Sequence, residues 1–350
     1  MMSNEVFFLG AGFSKAINDK YPTLKTLTEE INHNLITEKG SIMTHFRDEI
    51  PEGYKSNLEL LLSFLASNLP YKTPAQVDED NALYKNITSF ISNYFINKEE
   101  QNSNFLDSHI TLANFLIKQK VPCITLNYDT LLEKLIYSVV SDSYKNVNSN
   151  YSTFYKIPIT NLSYRIPNGR GSFASYEDDF NKERMPELIK LHGSINWLSD
   201  GNILYSDENK DNEQLEILRL GLNKVIVPPI MDKTTLYKYD IFKILWDKAY
   251  KKLAKAKYIY ICGFSFPATD LSVRFLFQSA LSNNKMNPII YVINTKEALE
   301  QSSEYYLEQR YNEIFKGFDI NYAYCCKDSL DRFVQEVIQP QCKEVENAAL

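Results

Sequence analysis

The chain has 350 residues, 44% hydrophobic and 13% aromatic, which is enough for one large α/β domain with an insertion or for two modest domains. A formal net charge of -6 argues against a broad basic surface, so direct nucleic-acid binding is not expected. No basic leader with an apolar run follows the start, and no stretch approaches the roughly 18 apolar residues of a membrane span, so a cytoplasmic protein without membrane contact is expected.

The first element is a buried strand, Val6-Phe7-Phe8-Leu9, followed by Gly10-Ala11-Gly12 and a helix expected near Ser14. Strand, glycine turn and helix start together aim backbone N–H groups and a helix dipole at one point, where a phosphate can sit. A full dinucleotide fingerprint would carry a third glycine, near whose place stands Ala16, and a ribose-binding acid about twenty residues on. Neither is present, which disfavours an ordinary dehydrogenase. The plainer alternative is a tight turn with no ligand.

Helical periodicity follows over 23–36, over 57–69, where Leu58, Leu61, Leu62, Leu65 and Leu69 form one stripe, and over 81–95 and 104–119. These segments predict a helical insertion at about 40–120, read as a lid or an interface. Residues 121–127 form the next strand, and Asp129 is placed to cap the helix after it. A loop-rich module is expected at about 141–187, including Asn168-Gly169-Arg170-Gly171-Ser172. A strand over 188–191 leads to His192-Gly193. Asp200-Gly201 marks a hairpin, and Val225-Ile226-Val227 is a strand stopped by Pro228-Pro229. A helix over 236–253 precedes alternating strands and helices at 258–262, 270–281, 289–293, 296–312 and 320–324, which predicts a parallel sheet covered on both faces. The C-terminal part, about 327–350, should hold a helix near 329–339 and then a polar tail. The fold class is thus α/β: a Rossmann-like, doubly wound, mostly parallel sheet with a helical insertion, a small loop-rich module and no zinc ribbon.

The five cysteines, Cys123, Cys262, Cys325, Cys326 and Cys342, include no C-x-x-C pair, so no metal is expected, and Cys123 and Cys262 lie in apolar runs as inert hydrophobes. Ligands of a doubly wound sheet bind outside the carboxyl ends of its strands. Gly10 and Gly12, Asn127 with Asp129, His192, Gly263 with Ser265, and Asn294 each follow an apolar run directly. Singly, each has a plain structural reading: Asn127 begins a turn, Asp129 caps a helix, and a lone histidine such as His192 is held in the structure by hydrogen bonds. Together they outline a cleft. Trp197 and the tyrosines of 144–176 read as packing and lid residues, and His33, His45 and His109 have no metal spacing.

The motifs Gly10-Ala11-Gly12-Phe13-Ser14, Leu126-Asn127-Tyr128-Asp129, Lys190-Leu191-His192-Gly193-Ser194, Gly263-Phe264-Ser265 and Val292-Ile293-Asn294 resemble, in order, those of the sirtuin family of NAD-consuming enzymes. Asn57-Leu58-Glu59 and Gly263-Phe264-Ser265-Phe266-Pro267-Ala268-Thr269-Asp270 resemble the bacterial sirtuin-like domains of antiphage defence systems. The resemblance spans nearly the whole chain and implies a single catalytic domain over 1–350. It implies that Ala11, Gly12 and Ser14 line the NAD phosphates, with Gly263 and Ser265 reaching the pyrophosphate and ribose from the opposite side. Asn294 would bind the adenine ribose, and backbone near Cys326 would meet the adenine. Asn127 and Asp129 would face the nicotinamide, with Asn127 orienting a water or ribose hydroxyl and His192 acting as base.

Two departures qualify that reading. The paired cysteines of the deacylating sirtuins are missing, and Val227-Pro228-Pro229-Ile230-Met231 occupies the region of their peptide loop; Asn18-Asp19-Lys20-Tyr21-Pro22 also stands where an arginine is expected. The expected activity is therefore that of an NAD glycohydrolase, releasing nicotinamide and ADP-ribose and depleting NAD in abortive infection. The alternatives are an NAD-dependent protein deacylase or ADP-ribosyltransferase, and a non-catalytic subunit that senses NAD or ADP-ribose. A toxic activity needs a trigger, expected here from homo-oligomer assembly or from a separate ATPase or other phage-sensing subunit.

Overall fold

The structure is a computed structural model that describes residues 4–37, 50–99, 104–140, 151–161, 185–201, 203–206, 221–230, 240–267, 269–300 and 307–348. Its centre is strand β1 (Glu5–Leu9), in which Val6, Phe7, Phe8 and Leu9 are at most 2% exposed. A strand apolar on both faces must be covered on both, which parallel neighbours with crossover helices achieve. Strand β2 (Cys123–Thr125) lies on one side of β1 and β8 (Tyr258–Cys262) on the other. Beyond β2 comes β4 (Leu188–Lys190), and beyond β8 come β9 (Ile289–Asn294) and β10 (Asp319–Cys325). Every pairing in this six-stranded sheet is parallel. Numbered within the sheet and read from β4, the order is the 3-2-1-4-5-6 of dinucleotide-binding folds, with its switch point between β1 and β8.

The chain leaves β4 through His192 and Gly193 into a second sheet. Strand β5 (Gly193–Ser199) pairs antiparallel with β6 (Leu204–Ser206) across the expected Asp200-Gly201 hairpin, and with β7 (Asn223–Ile226) on its other side. The expected strand at 225–227 therefore belongs to this smaller sheet, which a short β3 (Thr160–Asn161) completes beside β6. Gly193 makes the change of direction at φ +76, in the left-handed region that favours glycine.

The helices at 58–66 and 74–99, expected as a lid or an interface, each turn a buried stripe to the main body. Asn57 caps the first, its side chain accepting the N–H groups of Glu59 and Leu60, and Leu58, Leu61, Leu62 and Leu65 form its buried face. Leu83, Ile87 and Ile91 form the buried stripe of the second. All of them join the same continuous core as β1, so these helices are walls of the main body. Helix Asp107–Gln119 leads into β2. At the other end, helix Ser329–Phe333 passes through a π turn at Val334–Ile338 into helix Gln339–Ala348, where a polar tail was expected. Pro340 lacks an N–H and crowds the carbonyl four residues back in an α-helix; the wider turn just before it eases both conflicts. Most of the expected loop-rich module, including Asn168–Ser172, lies outside the described residues, as do His45, Met231 and Ala268. No described helix is long and apolar enough to cross a membrane.

Candidate active site

Backbone hydrogen bonds step across the carboxyl-end rim of the main sheet from strand to strand. Cys326 donates its N–H to Asn294 O (3.1 Å), Gly263 to Ile293 O (2.9 Å), Gly12 to Gly263 O (2.9 Å), Leu126 to Leu9 O (3.3 Å) and Leu191 to Thr125 O (2.9 Å). The residues singled out in the sequence thus stand on one rim in the order Cys326, Asn294, Gly263, Gly12, Asn127 and His192. From β9 to β4 is four strand spacings, roughly 19 Å.

At the switch point two glycine turns interlock. A Cβ on Gly10 would lie 2.5 Å from Gly263 O, one on Gly12 would lie 2.6 Å from Gly263 Cα, and one on Gly263 would lie 2.2 Å from Phe13 N. Gly263 also holds φ +64. This contact changes the expected phosphate cradle. The helix starts at Ala11 rather than near Ser14, and the N–H groups of Gly12 and Phe13 are taken by Gly263 O and Gly10 O. Of the first three helical N–H groups, only that of Ala11 remains for a ligand.

Beside this turn, Asn127 and Asp129 clamp Ser14. Asn127 Nδ2 donates to Gly10 O and to Ser14 Oγ, both at 2.9 Å, and Ser14 Oγ donates to Asp129 Oδ2 at 2.9 Å. The Asn127 N–H is held by Thr125 Oγ1 (3.0 Å), whose hydroxyl donates to Leu9 O (3.0 Å). The Asn127 side chain is thereby fixed through its nitrogen, while its Oδ1 makes no hydrogen bond among the described residues. Asp129 is 5% exposed, and its second oxygen accepts the Leu131 N–H at 3.1 Å, so its carboxylate braces Ser14 and the start of helix Leu131–Val139. The cavity enclosed by Ser14, Asn127, Asp129, Glu133 and Lys190 measures about 10 Å³, too small for a nicotinamide ring.

His192 lies one strand further, 5% exposed, its ring stacked against Tyr128 with centroids 6.5 Å apart. Its carbonyl accepts the Val227 N–H at 2.8 Å, and Val227 O accepts the Tyr128 hydroxyl at 2.6 Å, which ties the segment after β7 to the histidine. A Cβ on Gly193 would fall 2.0 Å from Val225 O, so only glycine lets β7 approach here.

At the far end, Ser265, Asn294 and Cys326 are half-buried. Asn294 Oδ1 accepts the Thr295 N–H at 2.9 Å, and the Ser265 hydroxyl makes no hydrogen bond among the described residues. Burial drives the Cys123 and Cys262 thiols far above their usual range, as befits inert core residues. No cluster of three or more metal-ligating side chains occurs among the described residues.

Sequence reasoning missed the layer beneath the rim. Lys190, 1% exposed, donates to Asp129 O and to Glu133 Oε1 (3.0 Å), and Tyr155 donates its hydroxyl to the same Glu133 oxygen at 2.9 Å. The signal was a lysine inside the apolar run of β4, since an ammonium in a buried strand requires a partner.

Solved structures resemble the chain over nearly its whole length. A Sir2 homologue in complex with NAD is 14% identical with a TM-score of 0.42, covering 95% of this chain and 90% of its own. A mutant Sir2 homologue in complex with ADP-ribose is 15% identical with a TM-score of 0.39, covering 96% and 93%. No curated protein matches by sequence. The family model of the SIR2-like domain matches residues 122–315, more than half of the chain, from just before β2 to the end of helix Leu307–Ile314, and the protein belongs to that family.

Proposed function

We propose that the protein is an NAD glycohydrolase that cleaves the bond between nicotinamide and ribose. The residues of the rim suit such a substrate. The Ala11 N–H and the Ser265 hydroxyl lie beside the switch point, where a pyrophosphate would bridge the two glycine turns. Asn294 and Cys326 lie toward the adenosine end, and Asn127 Oδ1 faces the ribose that reacts. Ser14, bonded both to Asn127 and to Asp129, holds that amide, and Asp129 braces Ser14.

Nicotinamide leaves as a neutral molecule from a cationic ring, so the cleavage needs no strong acid. Water adds to the ribose carbon, the carbon–nitrogen bond breaks with its electron pair going to nicotinamide, and the proton from water passes to the imidazole of His192. A neutral imidazole nitrogen can accept it. Such base assistance supplies about 10²–10⁴-fold, and positioning by Asn127 the remainder.

One observation favours water over a peptide as acceptor. An acyl-lysine peptide docking as an extra strand would need free backbone donors. From 227 to 230 there are none: the Val227 N–H is held by His192 O, Pro228 and Pro229 have no N–H, and the Ile230 N–H bonds to Pro228 O at 2.8 Å. The burial of His192 fits a resting state that assembly or a partner subunit opens. A place in antiphage defence rests on the motif resemblance.

Purified protein incubated with NAD, with and without an acetyl-lysine peptide, tests the reading through nicotinamide, ADP-ribose and acyl-ADP-ribose. Peptide-independent hydrolysis, lost in His192→Ala, is expected. Turnover only with peptide would establish a deacylase, and tight NAD binding with no turnover in any assembly state would establish a sensor.

A further inference from the structure

Two arginines next to the Gly263–Asp270 loop have no carboxylate partner among the described residues. Arg274 lies in the first turn of helix Leu271–Ser282 and Arg310 in the first turn of helix Leu307–Ile314. Both helices are fastened to Phe266, a fully buried residue at φ +48. Its ring packs against Phe277, Tyr311 and Phe315 with centroids 5.2, 5.1 and 5.5 Å away. Its carbonyl accepts from Arg274 Nη2 at 2.9 Å, and the Tyr311 hydroxyl bonds to Phe264 O at 2.6 Å. The guanidinium groups are therefore carried by a rigid frame, half-buried. The Nε of each is shut off from solvent without a hydrogen-bond partner. Arg310 makes no ion pair among the described residues, and burial together with the charge of Arg274 lowers its pKa from the ordinary value. Of the acids on the neighbouring elements, Glu59 accepts the Thr269 hydroxyl, and neither Glu59 nor Asp270 pairs with Arg274 or Arg310 among the described residues.

Two like charges half-removed from water on a fixed frame are costly unless an anion joins them, and guanidinium forks match phosphate oxygens in geometry. We infer that Arg274 and Arg310 form a seat for a phosphate group at the rim outside β8 and β9. Its phosphate comes either from a phosphorylated adenosine ribose of a dinucleotide in the neighbouring cleft or from free phosphate. The seat deepens the NAD reading on the adenosine side, yet its binding can be measured without turnover.

The test is calorimetric titration of the full chain with inorganic phosphate, NAD and NADP, together with melting curves. Phosphate should bind and raise the melting temperature, and Arg310→Ala should weaken that binding about tenfold or more. Arg310→Gln guards against misfolding: without phosphate it should melt no lower than wild type, because a like-charge repulsion is gone, and phosphate should not raise its melting point. Tighter binding of NADP than of NAD, lost in Arg274→Ala and Arg310→Ala, assigns the phosphate to the dinucleotide; equal affinity alongside phosphate binding assigns it to the free ion. Absence of phosphate binding by the wild type, or equal binding by the folded variants, overturns the seat, whatever the NAD hydrolysis assay shows.

Discussion

Asn127 Nδ2 lies 2.9 Å from both Gly10 O and Ser14 Oγ, so this amide is locked to the first turn of the chain. Since Gly10 O can only accept, the nitrogen must point to it and the oxygen must point away. Asn127→Asp would set a carboxylate oxygen against that carbonyl. The expected result is turnover reduced at least about a hundredfold with stability lowered by about 1–3 kcal/mol, against a similar loss of turnover in Asn127→Ala. Nicotinamide release and denaturant melts measure both, and an Asp variant near wild-type activity would dismiss the locked-amide account.

Gly193 and Gly201 share a left-handed backbone, at φ +76 and +95, and differ only in space. A Cβ at 193 would meet Val225 O at 2.0 Å, whereas nothing lies within 4 Å of one at 201. Gly201→Ala should therefore cost roughly 1 kcal/mol, the conformational penalty alone. Gly193→Ala should cost at least about 3 kcal/mol and disturb His192, because β7 must move. Equal losses in chemical denaturation would show that backbone conformation and not close packing requires Gly193.

The sequence made the main sheet legible because its strands are short apolar runs ending in polar residues, and topology turned that list into one rim. Asn127, His192 and Gly263 stand out by residue type at those ends. The interlock of Gly12 with Gly263 is invisible in one dimension, since each glycine explains the other only when β1 and β8 are neighbours. The same holds for Arg310, whose meaning depends on Arg274 about one helix away. The helices at 58–66 and 74–99 were readable as helices, but periodicity does not say against which core a stripe packs.

The buried Lys190–Glu133 pair ties the strand before His192 to the helix after Asp129. Both side chains are 1% exposed, so removing one leaves an uncompensated charge. Lys190→Met and Glu133→Leu should each destabilise by about 3–5 kcal/mol, and the double variant by less than their sum. Turnover in the double variant should remain low even where it folds, because Lys190 also holds Asp129 O. Additive losses in a double-mutant cycle would mean that the two charges do not depend on each other.

His109 supplies a pH dependence of stability. It is 1% exposed at the start of helix Asp107–Gln119, its Nδ1 accepts the Leu106 N–H at 3.2 Å, and its Nε2 lies 3.8 Å from Asp331 Oδ1. Burial lowers its pKa from the ordinary value, with Asp331 opposing. Protonation at Nδ1 would also abolish the bond from Leu106. On acidification the unfolded chain therefore takes up this proton first, near about pH 6.5, and the native state loses stability from there down to its own lower pKa. His109→Gln keeps an acceptor for the Leu106 N–H and removes the titration. Between pH 7.5 and 5.5 the melting temperature of wild type should drop more than that of the variant, and parallel drops would place the acid sensitivity elsewhere.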